Sequence, residues 1–257
     1  MSARNIIIII GVIIGIIFIV KMTNINKQGQ DNKINTSNAV NVEPISHASL
    51  ILYWSGKSVY VDPVGELKMF EGLAIPDMIL LTDIHGDHLD IGRLKVITAE
   101  STIIVAPQAV ADQLPEELKT KTLVMNNGEQ MEKLGFQITA IPMYNLPESS
   151  TAFHSKGRGN GYLLQKNGTS IYISGDSSGI PEMKNLKNID MAFVAMNLPY
   201  TMSVEEAADA VLAFKPKKVY PYHYRTPTGF SDVAKFKSLA NAGNPNIEVV
   251  QLEWYPK

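Results

Sequence analysis

Residues 82–90 read TDIHGDHLD, with three Asp and two His in nine residues, directly after the apolar run Met78-Ile79-Leu80-Leu81. Two Asp and two His within the six residues 83–88 are a costly local charge density unless a cation binds there. In a short loop leaving a strand, Asp83 and His85 can point one way and Asp87 and His88 another, so that one segment serves two adjacent metal ions. Imidazole and carboxylate without sulfur suit Zn, and also Mn or Fe. Two such ions ~3.5–4 Å apart can share a hydroxide and clamp the attacking and leaving oxygens of a hydrolysed ester or amide. Asp90, the last carboxylate of the run, reads instead as the cap of a following helix.

The remaining candidates sit where strands end. The chain has five His. His85 and His88 follow one strand, His223 ends KVYPYH, His47 opens the first hairpin, and His154 precedes a later hairpin. Asp62 and Asp176 end the strands of those hairpins. Loops on a rigid scaffold are where sites are built. Asp176 and His223 are the distant side chains that would complete a metal cage begun at 83–88.

Strands are read at 77–83, 101–107, 136–142, 190–196, 218–223 and 247–254, with hairpins over 49–63 and 161–176, the second turning at Asn167-Gly168. A helix is predicted over 203–214, with Ser203 and Glu206 as a capping box and Pro216 beyond its end. Another is predicted over 231–240. Strand-rich halves, each followed by helices, give a mixed α/β layered protein. No glycine-rich phosphate loop follows the first strand, and GRGNG (157–161) precedes a strand, so it reads as a turn.

The bulk composition excludes several classes. Hydrophobic content of 45% over 257 residues supports a real core. A net charge of −2 without a basic stripe argues against nucleic acid as a partner. The absence of Cys removes disulfides, thiolate metal sites and a cysteine nucleophile. No G-x-S-x-G or Ser-His-Asp arrangement points to a serine hydrolase. At the N-terminus, residues 6–20 form an uncharged apolar run that reads as an uncleaved membrane anchor (1–22) rather than a signal peptide, since no small-x-small cleavage site follows. Residues 23–44 read as a flexible polar linker and 45–257 as the globular domain, placed outside the cytoplasm.

LLTDIHGDHLD, SGDSSGIPEM and YPYHY together resemble the metallo-β-lactamase superfamily, known by an H-x-H-x-D-H loop, a later bridging Asp and a final His on a four-layer αββα sandwich. SHASLILYWSGKSVYVDP is similar to its opening hairpin, and the resemblance spans about residues 45–257. PMYN, FHSKGRGNGY, NLPYTM and EEAADAV look like the Zn-dependent hydrolase branch near the L-ascorbate-6-phosphate lactonases and the N-acylphosphatidylethanolamine phospholipases D. The resemblance implies two divalent metal ions, Zn first and Mn or Fe as alternatives. It implies His85 on the first metal, Asp87, His88 and His223 on the second, and Asp176 bridging both. The third ligand of the first metal has no His at its usual place after ITAIPMYN, so His154 is the imidazole assigned to it. Asp83 stands where the motif has His, and either ligates as an anion or sits behind the ligands. His47 and Asp62 would orient ligands or touch substrate.

The implied chemistry is metal-assisted hydrolysis of an ester, phosphodiester or lactone, on a small molecule or a lipid. Asp87 would orient the attacking hydroxide, while His47, Tyr144 and Asn145 would offer hydrogen bonds to developing negative charge. The rival is a non-catalytic metal- or ligand-binding domain, motivated by Asp83 and the missing His after the strand.

Overall fold

The computed structural model describes residues 39–255. Six strands, β1 (Val40–Ser46), β2 (Ser49–Trp54), β3 (Lys57–Val61), β4 (Met78–Leu80), β5 (Ile103–Ala106) and β6 (Thr122–Val124), pair in chain order as one sheet. The second sheet draws on β7 (Gln130–Lys133), β8 (Phe136–Met143), β9 (Gly159–Lys166), β10 (Thr169–Ile173), β11 (Met191–Ala195) and β12 (Lys218–Tyr222). A small separate ribbon follows, β13 (Arg225–Thr226) with β14 (Gly229–Phe230), and β15 (Glu248–Val249) then joins the second sheet beside β12. Among the described residues six α-helices accompany them: α1 (Ile91–Ile97), α2 (Gln108–Ala111), α3 (Glu116–Lys119), α4 (Pro181–Lys184), α5 (Val204–Phe214) and α6 (Val233–Gly243).

The two-residue period of the strands decides the layers. Leu50, Leu52 and Trp54 of β2 and Met78 and Leu80 of β4 turn inward, against Phe136, Ile138, Leu164, Ile171 and Phe193 of the other sheet. Their neighbours Ile51, Ile79 and Ile104 turn outward and pack on Leu94 of α1, Val110 of α2 and Leu118 of α3. Tyr172, Ala192 and Val194 face outward from the second sheet onto Met183 of α4, Val211 of α5 and Phe236 of α6. The result is helix, sheet, sheet, helix, the αββα order expected. Ser203 accepts from the Glu206 backbone N–H as the cap of α5, and Asp90 caps α1 by accepting from Arg93 N–H. The capping box is only half formed, because the Glu206 carboxylate reaches instead to Gly179 N–H at 2.7 Å and ties α5 to the loop carrying Asp176.

Pairing is parallel across β3, β4 and β5, and again across β10, β11 and β12. Parallel register brings the carboxyl ends of neighbouring strands to one edge, where open α/β sheets hold their ligands. The two edges are joined directly: Asn160 N–H donates to the Thr82 carbonyl at 2.9 Å, and Tyr162 hydroxyl to the Leu81 carbonyl at 2.8 Å. This contact explains GRGNG, which is not a simple turn. Gly159 and Gly161 already belong to β9. A Cβ on Gly159 would lie 2.8 Å from the Thr82 carbonyl oxygen, and one on Gly161 2.8 Å from that of Ile173. Only glycine permits that approach.

Two sequence expectations are corrected. Residues 40–44, expected as linker, form most of β1, because Val40 and Val42 alternate with exposed neighbours and pair with Trp54 and Leu52 of β2. Among the described residues no helix is long and apolar enough to cross a membrane, so the expectation of a membrane-anchored domain outside the cytoplasm is not met there. The apolar run 6–20 and the rest of the proposed anchor lie outside the described residues.

Candidate metal centre

The loop after β4 delivers Asp83, His85, Asp87 and His88, the turn after β10 delivers Asp176, and the end of β12 delivers His223. His47 comes from the β1–β2 turn, and His154 from the long β8–β9 connection. Two of these positions, His47 at φ 54° and His223 at φ 48°, hold backbone in the left-handed region, as does Asp62 after β3 at φ 42°. That conformation is uncommon outside glycine and has to be held by its surroundings. Here Asp62 N–H donates to Leu80 O at 3.0 Å, and His223 N–H to His47 O at 3.2 Å.

Asp176 is the centre of the cluster. One of its carboxylate oxygens lies 3.3 Å from His88 Nε2 and 3.3 Å from His154 Nε2, and the other 3.3 Å from His223 Nε2. On one side of it Asp83, His85 and His154 converge; on the other, His88 and His223 converge, with Asp87 and His47 beside them. His85 Nδ1 approaches Asp83 at 2.6 Å, and His154 Nε2 approaches the same oxygen at 3.6 Å. Asp87 lies 3.2 Å from His47 Nε2 and 3.4 Å from His223 Nε2. Asp83 and Asp176 are buried, whereas the Asp87 side chain is 43% exposed and opens on a cavity.

The tautomers are set from behind. His88 Nδ1 meets Asp62 at 2.8 Å, and Asp62 in turn accepts from Thr82 N–H at 2.8 Å and from the Thr82 hydroxyl at 2.5 Å. A proton held on Nδ1 leaves His88 Nε2 with its lone pair aimed at the centre. His154 Nδ1 faces Asn145 Oδ1 and the Tyr200 carbonyl, each at 3.2 Å, with the same effect. Tyr255 hydroxyl meets His47 Nδ1 at 2.7 Å.

Electrostatics follow this packing. Burial acts to raise the Asp176 carboxyl, yet His223 and His88 hold it well below the usual carboxylate range. Asp87 is likewise depressed: burial opposes the shift, and the bonds from His223 and His47 outweigh it. Burial acts to lower His88, but Asp176 and Asp62 hold its imidazole well above the ordinary value. Burial lowers His47, against the bond to Asp87. His85 is raised by its bond to Asp83.

Several buried polar atoms of the cluster have no hydrogen-bond partner. His154 Nε2, Asp176 Oδ1 and His223 Nδ1 are buried without a hydrogen bond. His88 Nε2 and His223 Nε2 face each other at 3.1 Å, although at most one of two neutral rings can donate across that gap. Buried polar atoms are otherwise nearly always satisfied. A thiolate-free set of imidazole nitrogens and carboxylate oxygens converging around Asp176 has the chemistry to hold a divalent cation.

The sequence candidates fare unequally. His154, chosen only as the available imidazole, comes to the Asp83 side, which removes the gap after ITAIPMYN as a ground for a degraded site. Tyr144 does not reach the cluster: its hydroxyl donates to Glu182 at 3.0 Å, and its ring packs in the outer core. Asn145 is turned to His154, accepting from its N–H at 2.9 Å, so it positions a ligand candidate rather than meeting substrate. Arg158, Tyr255, Tyr200 and Arg225 escaped the sequence reading. Arg158 lay hidden in GRGNG and Tyr200 in NLPYTM, and Tyr255 and Arg225 have no motif to mark them.

Comparison with known proteins identifies the family. Residues 41–223 match the family model described as a beta-lactamase superfamily domain. A UPF0173 metal-dependent hydrolase of Pyrococcus horikoshii is 34% identical over 212 residues, covering 78% of this chain and 92% of that protein. Its counterpart in Pyrococcus abyssi is 32% identical over 215 residues, with the same coverage. A solved structure from Parabacteroides distasonis, named provisionally as a metal-dependent hydrolase, superposes with a TM-score of 0.75 at 35% identity, covering 84% of this chain and 94% of that one.

Proposed function

Since this chain belongs to the beta-lactamase superfamily, we propose that it is a metal-dependent hydrolase of a small ester, lactone or phosphodiester. The observation that carries the reading is Asp176, a buried carboxylate faced by three imidazole nitrogens at 3.3 Å. Asp83, His85 and His154 would hold one ion and Asp87, His88 and His223 the other, with Asp176 between them. The donor set suits Zn first, then Mn or Fe. Such ions, when bound, acidify water and polarise a carbonyl or phosphoryl oxygen.

The protein's own side chains supply the rest. Asp87, half-exposed to the cavity, accepts a hydrogen bond from an attacking water and fixes its line of approach. His47 is placed to move a proton at Nε2, since burial favours its neutral ring and Tyr255 holds Nδ1. The cavity, about 460 Å³, is bounded by Phe153 and Tyr200, whose rings meet edge to face at 4.9 Å. Those rings offer an apolar wall to the substrate body. Arg225, which also lines the cavity, lies 4.4 Å from the Tyr255 ring and pairs with no carboxylate among the described residues. A permanent cation at the mouth favours a substrate bearing a carboxylate or phosphate near its scissile bond. The lactones and phosphodiesters of the resembling branch remain candidates on that ground.

The test is turnover by the full-length chain, stripped with chelator and reloaded with Zn or Mn. The panel holds 4-nitrophenyl esters, bis(4-nitrophenyl) phosphate and simple lactones. Metal-dependent turnover of one class, lost in Asp176→Asn, is expected. A fully metal-loaded protein inert to all of them would leave a binding domain instead.

A further inference from the structure

Asp83 is buried at the place where the resembling motif carries a neutral imidazole, and the chain supplies it with a permanent cation. Arg158 Nε donates to Asp83 Oδ1 at 3.3 Å and Nη2 to Oδ2 at 3.4 Å. The same Nη2 donates to the carbonyl of Phe153, the residue before His154. One guanidinium thus grips both the Asp83 side chain and the backbone that carries His154. Its side chain is only 22% exposed, so it is not a solvent-screened surface charge.

We propose that Arg158 makes the two metal positions unequal. The position formed by Asp87, His88 and His223 fills first, and the one formed by Asp83, His85 and His154 binds more weakly and exchanges its ion. This inference rests on the metal-centre reading above and extends it to a residue outside the ligand set. Arg158 is a positioning residue that tunes the centre through Asp83.

A charge count gives the direction. Beside Asp83 the permanent charges are one carboxylate and one guanidinium, which cancel, and the imidazoles of His85 and His154 add none when neutral. Beside Asp87 there is one carboxylate and no permanent cation in ion-pair contact: among the described residues its ion-pair partners are His47, His88 and His223 alone. Asp176 is common to both. A divalent ion on the Asp83 side therefore meets about one negative charge fewer, and it approaches a guanidinium that is never deprotonated and already occupies both carboxylate oxygens. The compensating benefit is structural. A fully buried carboxylate without a partner is strongly unfavourable, and Arg158 shares with His85, at 2.6 Å, in offsetting that cost while no metal is present.

The experiment is a Zn titration of the chelator-stripped full-length chain against a chromophoric chelator, repeated for Arg158→Gln, Arg158→Lys, Asp83→His and Asp83→His/Arg158→Gln. The native chain is expected to bind in two steps separated by at least about tenfold in affinity. Arg158→Gln should leave the tighter step in place and strengthen the weaker one by about tenfold, closing the gap. Arg158→Lys keeps the charge and should keep the gap. Asp83→His leaves the guanidinium uncompensated and should weaken the second step, and adding Arg158→Gln should restore it. Two equal steps in the native chain would overturn the inference, as would a weaker second step in a folded Arg158→Gln. If Arg158→Gln fails to fold, the native step separation and the Asp83→His pair still decide the matter. Absence of Zn binding in the native chain would instead bring down the metal-centre reading itself.

Discussion

Asp62→Asn tests whether the centre is built from behind its ligands. Asp62 is buried and spends its oxygens on Thr82 and His88. Asparagine keeps the shape and can still accept from Thr82 N–H through Oδ1. Its amide nitrogen, however, takes the place of the oxygen that faces His88 Nδ1 at 2.8 Å, and turns an acceptor into a donor. His88 then accepts at Nδ1 and carries its proton on Nε2, the atom aimed at Asp176 and His223. A cation on that side finds no lone pair unless the ring reverts, with two donors then opposed across 2.8 Å. The charge-assisted bond lost in reverting is worth about 1.5–3 kcal/mol. That corresponds to a Zn affinity weakened by about 10- to 100-fold at the His88 side, the range seen for such orienting carboxylates. The assay is chelator competition on Asp62→Asn, His88→Ala and the double variant, with circular dichroism to check the fold. In the His88→Ala background, Asp62→Asn should cost nothing further, because its effect passes through that ring. Native Zn affinity in a folded Asp62→Asn would refute the orienting role.

Arg225→Gln should raise KM about tenfold for a 4-nitrophenyl ester carrying a carboxylate and leave KM for a neutral ester unchanged; equal effects on both would remove Arg225 from substrate recognition. Metal removal should expose a pH dependence. In the stripped chain His88 is held well above its unfolded value of 6.5, so its stabilising contribution is complete below that pH and is lost as pH rises through the folded-state value. The melting temperature of the stripped protein should therefore fall as pH rises above 6.5, and Zn should abolish the slope; a flat curve for the stripped protein would contradict the pairing of His88 with Asp176 and Asp62. Gly161→Ala places a Cβ 2.8 Å from one backbone carbonyl oxygen and 2.9 Å from another, neither of which can rotate away. It should lower unfolding free energy by about 1–3 kcal/mol in a urea titration, and an unchanged midpoint would deny the close contact of β9 with β10.

The sequence alone determined the layered α/β fold and most of the cluster. Two-residue alternation in β2 and β4 is a local signal, and so is the fixed spacing from Asp83 to His88. Asp176 and His223 were legible because each ends an apolar strand, and parallel pairing then has to bring such ends to one edge. The flexible-linker reading of residues 40–44 failed because β1 is held by backbone pairing with β2, which polar composition does not reveal. Tertiary structure decided what depends on side-chain direction across long separations. Tyr144 and Asn145 follow the expected strand but face Glu182 and His154. His154 reaches Asp176 through a long connection whose course no spacing rule fixes. Arg158 meets Asp83 across 75 positions, so a glycine-rich segment that reads locally as a turn becomes the counter-charge of the altered motif. Local periodicity fixes which face of an element is apolar. Only the packed fold fixes which distant charge a buried carboxylate must meet.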